Sequence, residues 1–165
     1  MKLSELLAGI GVRKVMLLGR EFEARLVEGP VQALVEHLHP RPEPPMVQDP
    51  TRGLSAPKIP DFEDAEFLAQ VAVWEHAHRC LIVGLSIAAV DPEDDAAGRA
   101  LALLLKTDRT ADQTRQAREE LDELVDLMRA IPVQDVAVAH IRLVRPFSGE
   151  EVEEARKKSS GGSPS

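Results

Sequence analysis

The sequence predicts a mainly helical protein, built as a single domain of about five to seven helices with a small N-terminal β-hairpin and a flexible C-terminal tail. Two observations lead to this fold class. Aromatic residues are scarce, with four Phe, one Trp and no Tyr, and a core built from Leu, Val, Ala and Ile favours packed helices over an extended sheet. Apolar residues also recur at helical spacing through most of the chain. With 165 residues, 44% of them apolar, the chain has enough material for one core.

Residues 1–39 are predicted to form a helix, a hairpin and a second helix. Apolar residues at helical spacing within residues 3–10 predict the first, short helix. Residues 14–18 are mostly apolar, and residues 22–26 alternate between apolar and charged after a Gly-Arg break, which predicts the two strands of the hairpin. A Gly-Pro pair ends the hairpin, and residues 31–39 carry one apolar face, as expected for a helix.

Residues 40–60 change composition, because seven of the twelve prolines lie there. Such a density excludes a helix or a central strand. A loop of this length inside a compact domain is typical of a functional arm or a linker. The alternative is a surface connection held by contacts at Met46, Val47 and Leu54.

Residues 61–147 are predicted to form the helical core. Asp61 is the expected N-cap of the longest helix, residues 61–90, whose second half is apolar on nearly every side and should be the central buried element. Asp91 followed by Pro92 predicts the start of a fourth helix that reaches about Leu105.

Two further helices complete the predicted core, and an exposed segment follows it. Thr110 and Gln113 form a capping-box pattern that opens a helix over residues 110–131. Pro132 starts the next helix, over residues 132–145. Residues 148–165 are predicted as a solvent-exposed helix, which begins with a second capping box, and a disordered tail. With almost no apolar face, that last helix should fray unless a partner orders it.

Charge and cysteine content exclude several classes of protein. A formal charge of −8 opposes the phosphate attraction that supplies most non-specific nucleic-acid affinity. Cys80 is the only cysteine, so no intramolecular disulfide can form, and a reducing compartment is expected. No apolar run approaches the length of about 18 residues that a bilayer span needs, and the N-terminus does not resemble a signal peptide. We therefore expect a cytoplasmic protein that binds neither nucleic acid nor membrane.

Candidate chemical groups are few, and we expect no enzyme, no metal and no cofactor. His76 and Cys80 lie four residues apart and could face one ion on a helix, although further ligands would have to come from elsewhere; the alternative is a partly exposed face of titrating side chains. Paired acids at residues 94–95, 119–120 and 150–151 lie in charged runs typical of solvated helix faces. No phosphate-binding loop or nucleophile elbow occurs in the sequence.

Candidate partner-binding residues lie in the last third of the chain. One set is an apolar stripe of the helix over residues 110–131, which is also what a core-facing helix would present: Leu121, Leu124, Met128 and Ile131. The other set belongs to the C-terminal arm of residues 150–158, which offers the charged side chains Glu150, Glu151, Arg156, Lys157 and Lys158.

The order of these features resembles the tail assembly chaperones of long-tailed bacteriophages. The resemblance begins with a strand-bearing N-terminal region and a proline-rich approach to Asp-Phe-Glu-Asp-Ala-Glu-Phe at residues 61–67. It continues in a long helix with Trp74 and Arg79, in Leu-Met-Arg-Ala-Ile-Pro at residues 127–132, and in the acidic-to-basic helix and Ser/Gly tail at the end. The chain departs from the family where it carries residues in place of expected aromatics, at Val73, His76 and His140.

The resemblance implies a non-enzymatic protein of the host cytoplasm that binds the tape measure protein, keeps it soluble and helps recruit tail tube subunits. It also implies self-association and, in many members, a longer form made by a programmed translational frameshift. Lys157-Lys158 is compatible with the codons that such a frameshift needs. The alternatives are a structural head–tail connector or adaptor that stays in the particle, and a metal-dependent enzyme or regulator that uses His76 and Cys80.

Overall fold

The computed structural model describes residues 11–146 and 148–160. The predicted fold class is confirmed, since these residues form six helices and two small antiparallel sheets. The predicted short helix in residues 3–10 lies outside them, as does the end of the tail. None of the described helices combines the length and the apolar character needed to cross a bilayer. In chain order the elements are β1 (Val12–Leu17), β2 (Arg20–Arg25), α1 (Gly29–Leu38), β3 (Met46–Val47), β4 (Ile59–Pro60), α2 (Ala65–Ala88), α3 (Ala96–Leu104), α4 (Ala111–Met128), α5 (Val133–Val144) and α6 (Gly149–Ser160).

The predicted hairpin is confirmed as β1 and β2. They pair in antiparallel register from Val12 opposite Arg25 to Leu17 opposite Arg20. The two-residue turn between them has φ of 51° at Leu18 and 72° at Gly19. Positive φ at both central residues belongs to the turn type that matches the twist of a hairpin. Val15 and other alternate residues of β1 face the core, and the intervening ones face outward.

Helix α2 is the central element of the core, as its apolar second half predicts. It contacts β2, α3, α4 and α5. Every residue from 80 to 86 is buried. At Gly84 the helix approaches α4 so closely that an added Cβ would lie 2.9 Å from a Cδ atom of Leu124. Ser86, a buried polar residue in this stretch, has its hydroxyl within 3.4 Å of the Val27 backbone nitrogen, which donates to it.

Two predicted helix caps are wrong. The cap of α2 is Asp64, whose Oδ1 accepts from the backbone N–H of Phe67 at 2.8 Å. Asp61 lies before the helix, where its N–H donates to Pro45 O at 2.8 Å and its Oδ1 accepts from the Glu63 N–H at 3.0 Å. The cap of α3 is Asp95 rather than Asp91. The backbone N–H of Asp91 still donates to Ile87 O, so that residue belongs to the end of α2.

The other two caps agree with the sequence. Thr110 and Gln113 exchange side-chain to backbone hydrogen bonds in both directions at the start of α4. Ser148 and Glu151 do the same before α6, with the Ser148 N–H donating to the carboxylate at 2.9 Å and the Glu151 N–H donating to the hydroxyl at 3.2 Å. Reciprocal bonds of this kind satisfy two backbone donors that a helix start otherwise leaves unpaired.

The proline-rich segment, residues 40–60, which we call the strap, lies against the first half of α2 through residues 40–44. Further along it β3 pairs with β4, two short strands, which fits the expectation that no central strand would form. Pro42 and Pro44 are half-buried against α2, and both lie near Phe67. The predicted contact at Leu54 is wrong, because that side chain is 94% exposed at the tip of the loop.

The start of α6 is held to the body by ion pairs that the sequence did not indicate. Arg13, on β1, is buried and donates through Nη1 to the carbonyls of Arg142 at 2.5 Å and Arg145 at 2.6 Å, where α5 ends. Its Nη2 lies 3.6 Å from Glu151 Oε2, and Arg145 Nη2 donates to the same carboxylate. One carboxylate therefore joins the first strand, the end of α5 and the first turn of α6.

Candidate docking surfaces

The apolar stripe predicted for partner docking is part of the core. Leu121, Leu124 and Met128 are buried in the central cluster, and Ile131 is half-buried against it. Leu124 packs against Gly84 of α2. The stripe is therefore the core-facing side of α4, which was the other interpretation of its pattern. In the folded chain these side chains are not available to a partner.

The charged side chains of the predicted arm lie on and around α6. Glu150, Arg156, Lys157 and Lys158 are exposed. Glu151 is half-buried, since its carboxylate binds Arg13 and Arg145. The Ser148 N–H that donates to this carboxylate, followed by the two arginines, lowers the pKa of Glu151. The structure thus separates Glu151, which anchors the helix, from the remaining arm residues.

Helix α5 carries a second apolar side that nothing in the described chain covers. Its inner side, with Val136, Ala139 and Leu143, is buried in the core. The outer side exposes four aliphatic residues, which we call the α5 face: Val133, Val138, Ile141 and Val144. The last three follow one another at a spacing of three residues, so their side chains are neighbours on the helix surface. Ile141 is 62% exposed.

The hairpin turn adds an exposed leucine close to α5. Leu18 is 58% exposed, and its backbone N–H donates to Asp135 Oδ2 at 3.2 Å, which places the turn beside the first turn of α5. Its φ of 51° is a conformation that asparagine and glycine adopt more readily than leucine. A residue that breaks the local rule without gaining burial is more often selected for function than for folding.

A stack of aromatic rings lies where α1 meets the first half of α2. The ring of Trp74 is 4.9 Å from that of His78 and 6.4 Å from that of His39, with both pairs nearly parallel. Trp74 Nε1 also donates to His39 O at 2.9 Å, and the Arg41 guanidinium lies 5.9 Å from the indole centre. These contacts fix the end of α1, and with it the start of the strap, against α2.

Burial lowers the pKa of three histidines in and beside this stack. For His39 the effect of burial is opposed by Asp122. For His78 burial is opposed by Glu36 and reinforced by His39. For His140, on α5, burial is reinforced by Arg79 and by His78. The three imidazoles are therefore held in the neutral form at pH values where an exposed histidine begins to charge.

Two adjoining cavities form a groove along the exposed side of α2, which we call the α2 groove. One cavity, of about 520 Å³, lies between α2 and the strap, and the other, of about 400 Å³, lies between α2 and α4. His39, Val73 and Ala77 line both cavities, so the two are continuous. Val73 is 72% exposed at their junction. The groove is therefore an open surface feature with an aliphatic residue at its centre.

The residues proposed for metal binding do not assemble a site. His76 Nε2 lies 3.7 Å from Cys80 Sγ, but His78 turns to the Trp74 ring instead. Among the described residues no group of three potential ligands could hold an ion. Burial raises the pKa of the Cys80 thiol, which disfavours the thiolate that a metal or a nucleophilic reaction would need.

Each acidic pair singled out in the sequence has one member with a structural partner. Asp95 caps α3. Glu120 accepts from Arg99 Nε at 2.8 Å and so joins α4 to α3. Glu151 anchors α6. Their neighbours in sequence, Asp94 and Glu119, are exposed and form surface ion pairs, with Arg99 at 3.5 Å and with Arg115 at 2.8 Å.

Both uncovered surfaces escaped the sequence analysis, for different reasons. The α5 face left a signal, because the helix over residues 133–144 is apolar on more sides than one core contact can use. The α2 groove gave no such signal in the sequence, since α2 forms it together with the strap, the end of α1 and α4, which are distant in sequence.

No protein-family model matches the chain, and neither a curated protein sequence nor a solved structure matches it. Its function is therefore inferred from the surfaces described above and from the resemblance in the order of features along the chain.

Proposed function

We propose that this protein is a non-enzymatic tail assembly chaperone that binds the tape measure protein, keeps it soluble and aids assembly of the tail tube around it. The observation that carries the proposal is the α5 face. A helix that is apolar on two sides, with one side already packed in the core, presents the other to a partner. A tape measure protein, as a long helical partner, would supply apolar side chains to cover it.

The charge distribution supports a protein partner over other classes. A net charge of −8 disfavours nucleic acid. The exposed Leu18 lies at a turn whose backbone bonds to Asp135 of the same helix, so a further apolar side chain is presented beside the start of α5. Burying such side chains against a partner stabilises the complex by roughly 25 cal/mol per Å² of apolar surface, before the entropy of association is subtracted.

The test is co-expression with a tape measure protein from the genome that encodes this chain, which the proposal requires to exist. Wild-type protein should move the tape measure protein into the soluble fraction and co-purify with it. The double variant Val138→Asp with Ile141→Asp should reduce the soluble amount severalfold. The matched control is Gln116→Asp, at an exposed polar position of α4 outside the α5 face, and it should behave as wild type.

A failure of the wild-type protein to bind or solubilise the tape measure protein would refute the proposal. Mass spectrometry of purified particles separates it from the alternative of a head–tail connector or adaptor. A chaperone should be absent from the finished particle, whereas a connector should be present in a fixed ratio to the other structural proteins.

A further inference from the structure

We propose that the α2 groove is a second docking site, which binds an amphipathic helix with basic flanking residues on a partner protein. The inference deepens the proposed function and rests on it only in taking a protein as the partner. It concerns a surface separate from the α5 face, and it specifies the charge of the partner segment.

The dimensions of the groove fit a short helix. Its two cavities have lining residues from Glu66 to Ala77 along α2. These twelve residues span about 16 Å, or about three turns of a partner helix lying alongside. Val73, Ala77 and the Trp74 ring are apolar lining groups on the α2 side. On the α4 side Val125 is the apolar lining group. Grooves of this kind receive the apolar side of an amphipathic helix.

The charge around the groove selects a basic partner. Its lining residues include three carboxylates, Glu66, Asp122 and Asp126, and one guanidinium, Arg129. Arg129 pairs with Asp126 at 3.3 Å, whereas Asp122 has no ion pair in the described part of the chain. Helix α4 as a whole carries six acidic residues and two arginines. Complementary charges steer association and set its specificity.

The only tryptophan of the chain lines the groove and provides the readout. The probe is a synthetic amphipathic peptide of about 15 residues, long enough to form a helix, with leucine on one side, lysine on the other and no tryptophan. The matched control peptide has glutamate in place of every lysine. Full-length protein is titrated with each peptide while Trp74 emission is recorded. The lysine peptide should shift the emission saturably, and the glutamate peptide should leave it unchanged.

Two pairs of variants locate the binding. Val73→Asp should weaken the affinity for the lysine peptide roughly tenfold or more, whereas Val138→Asp, on the α5 face, should leave it unchanged. Asp122→Asn with Asp126→Asn should weaken binding severalfold and flatten its salt dependence. Glu153→Gln with Glu154→Gln, which removes the same charge from α6, should change neither the affinity for the lysine peptide nor its salt dependence. Because Val73 is mostly exposed, its variant should keep the wild-type urea midpoint.

Equal binding of the two peptides would overturn the proposal, as would an unchanged affinity of the Val73→Asp variant. The outcomes also separate this site from the proposed function. If wild-type protein solubilises the tape measure protein but ignores the lysine peptide, the groove assignment fails and the chaperone function stands. If the peptide binds as expected and the tape measure protein stays insoluble, the groove stands and the chaperone function fails.

Discussion

The two halves of α2 differ in what covers them, although they form one continuous helix. Residues 80–86 are enclosed by the hairpin and by the helices around them. Before them, Leu68 and Val73 are exposed, and only the strap, the end of α1 and the edge of α4 lie nearby. One helix therefore supplies both the centre of the core and a wall of the α2 groove. The exposed residues of the open half are therefore free to serve binding, whereas Phe67, Val71 and Ala77 of the same half are buried and contribute to the fold.

The largest expected effect contrasts the core with the groove directly. Leu85→Ala removes a side chain that is 0% exposed and should lower the free energy of unfolding by about 2–5 kcal/mol. Val73→Ala should change it by less than about 0.5 kcal/mol, because most of that side chain is already in water. Urea unfolding followed by circular dichroism measures both. Comparable losses for the two variants would show that the open half also carries the fold.

The close approach of α2 to α4 gives the second test. Gly84→Val places methyl groups where Leu124 already lies, and should cost about 1–3 kcal/mol of unfolding free energy through overpacking. Ala72→Val, at an exposed position of the open half, is the control and should be close to neutral. Thermal unfolding of both variants provides the measurement. A neutral Gly84→Val would mean that the helices can separate without cost.

The start of the open half is sensitive to its cap. Asp64→Ala removes the side chain that accepts from the Phe67 N–H and should destabilise the protein by about 1 kcal/mol. Asp61→Ala removes only a bond to the Glu63 N–H outside the helix and should cost less than about 0.5 kcal/mol. Urea midpoints of the two variants, measured side by side, identify the cap. A larger loss at Asp61 would restore the boundary that the sequence predicted.

The smallest expected effect is a pH dependence carried by three histidines, of which only His78 lies on α2, before its enclosed half. The lowered pKa values of His39, His78 and His140 mean that the unfolded chain binds more protons below the ordinary histidine pKa of 6.5. Stability is then fully present above that value and is lost as the pH falls below it. The urea midpoint should therefore decrease between about pH 7.5 and pH 5.5.

A pair of histidine variants tests this assignment. His78→Gln, in the ring stack, should reduce the decrease in urea midpoint between the two pH values. His37→Gln, at an exposed position of α1, should leave the decrease as in wild type. An equal response of both variants would place the pH dependence outside the stack.

The sequence predicted those parts of the fold that depend on local pattern. The hairpin, the capping box at Thr110 and the buried second half of α2 follow from alternation, cap chemistry and apolar runs. The caps at Asp61 and Asp91 were wrong because Asp64 and Asp95 offer the same cap chemistry three and four residues later, and local pattern alone does not decide which aspartate begins the helix.

The candidate sites were less accessible to sequence reasoning. The sequence pattern of an apolar stripe on α4 is the same whether the stripe faces the core or a partner. Only the packing of Leu124 against Gly84 shows that it faces the core. The α5 face could have been found by counting apolar sides of the helix over residues 133–144. The α2 groove needs the positions of three segments brought together by folding, so no local pattern predicts it.

The bonds of Arg13 have a consequence for the order of folding. They join Arg13 to Arg142 and Arg145, which are separated from it in sequence by 129 and 132 residues, nearly the length of the described chain. Closing so long a loop costs chain entropy that local contacts do not, so these bonds should form after the rate-limiting step. Interactions made that late slow unfolding without accelerating folding. The bonds of Arg13 are thus expected to lower the unfolding rate, and so to lengthen the lifetime of the folded state, without changing the folding rate.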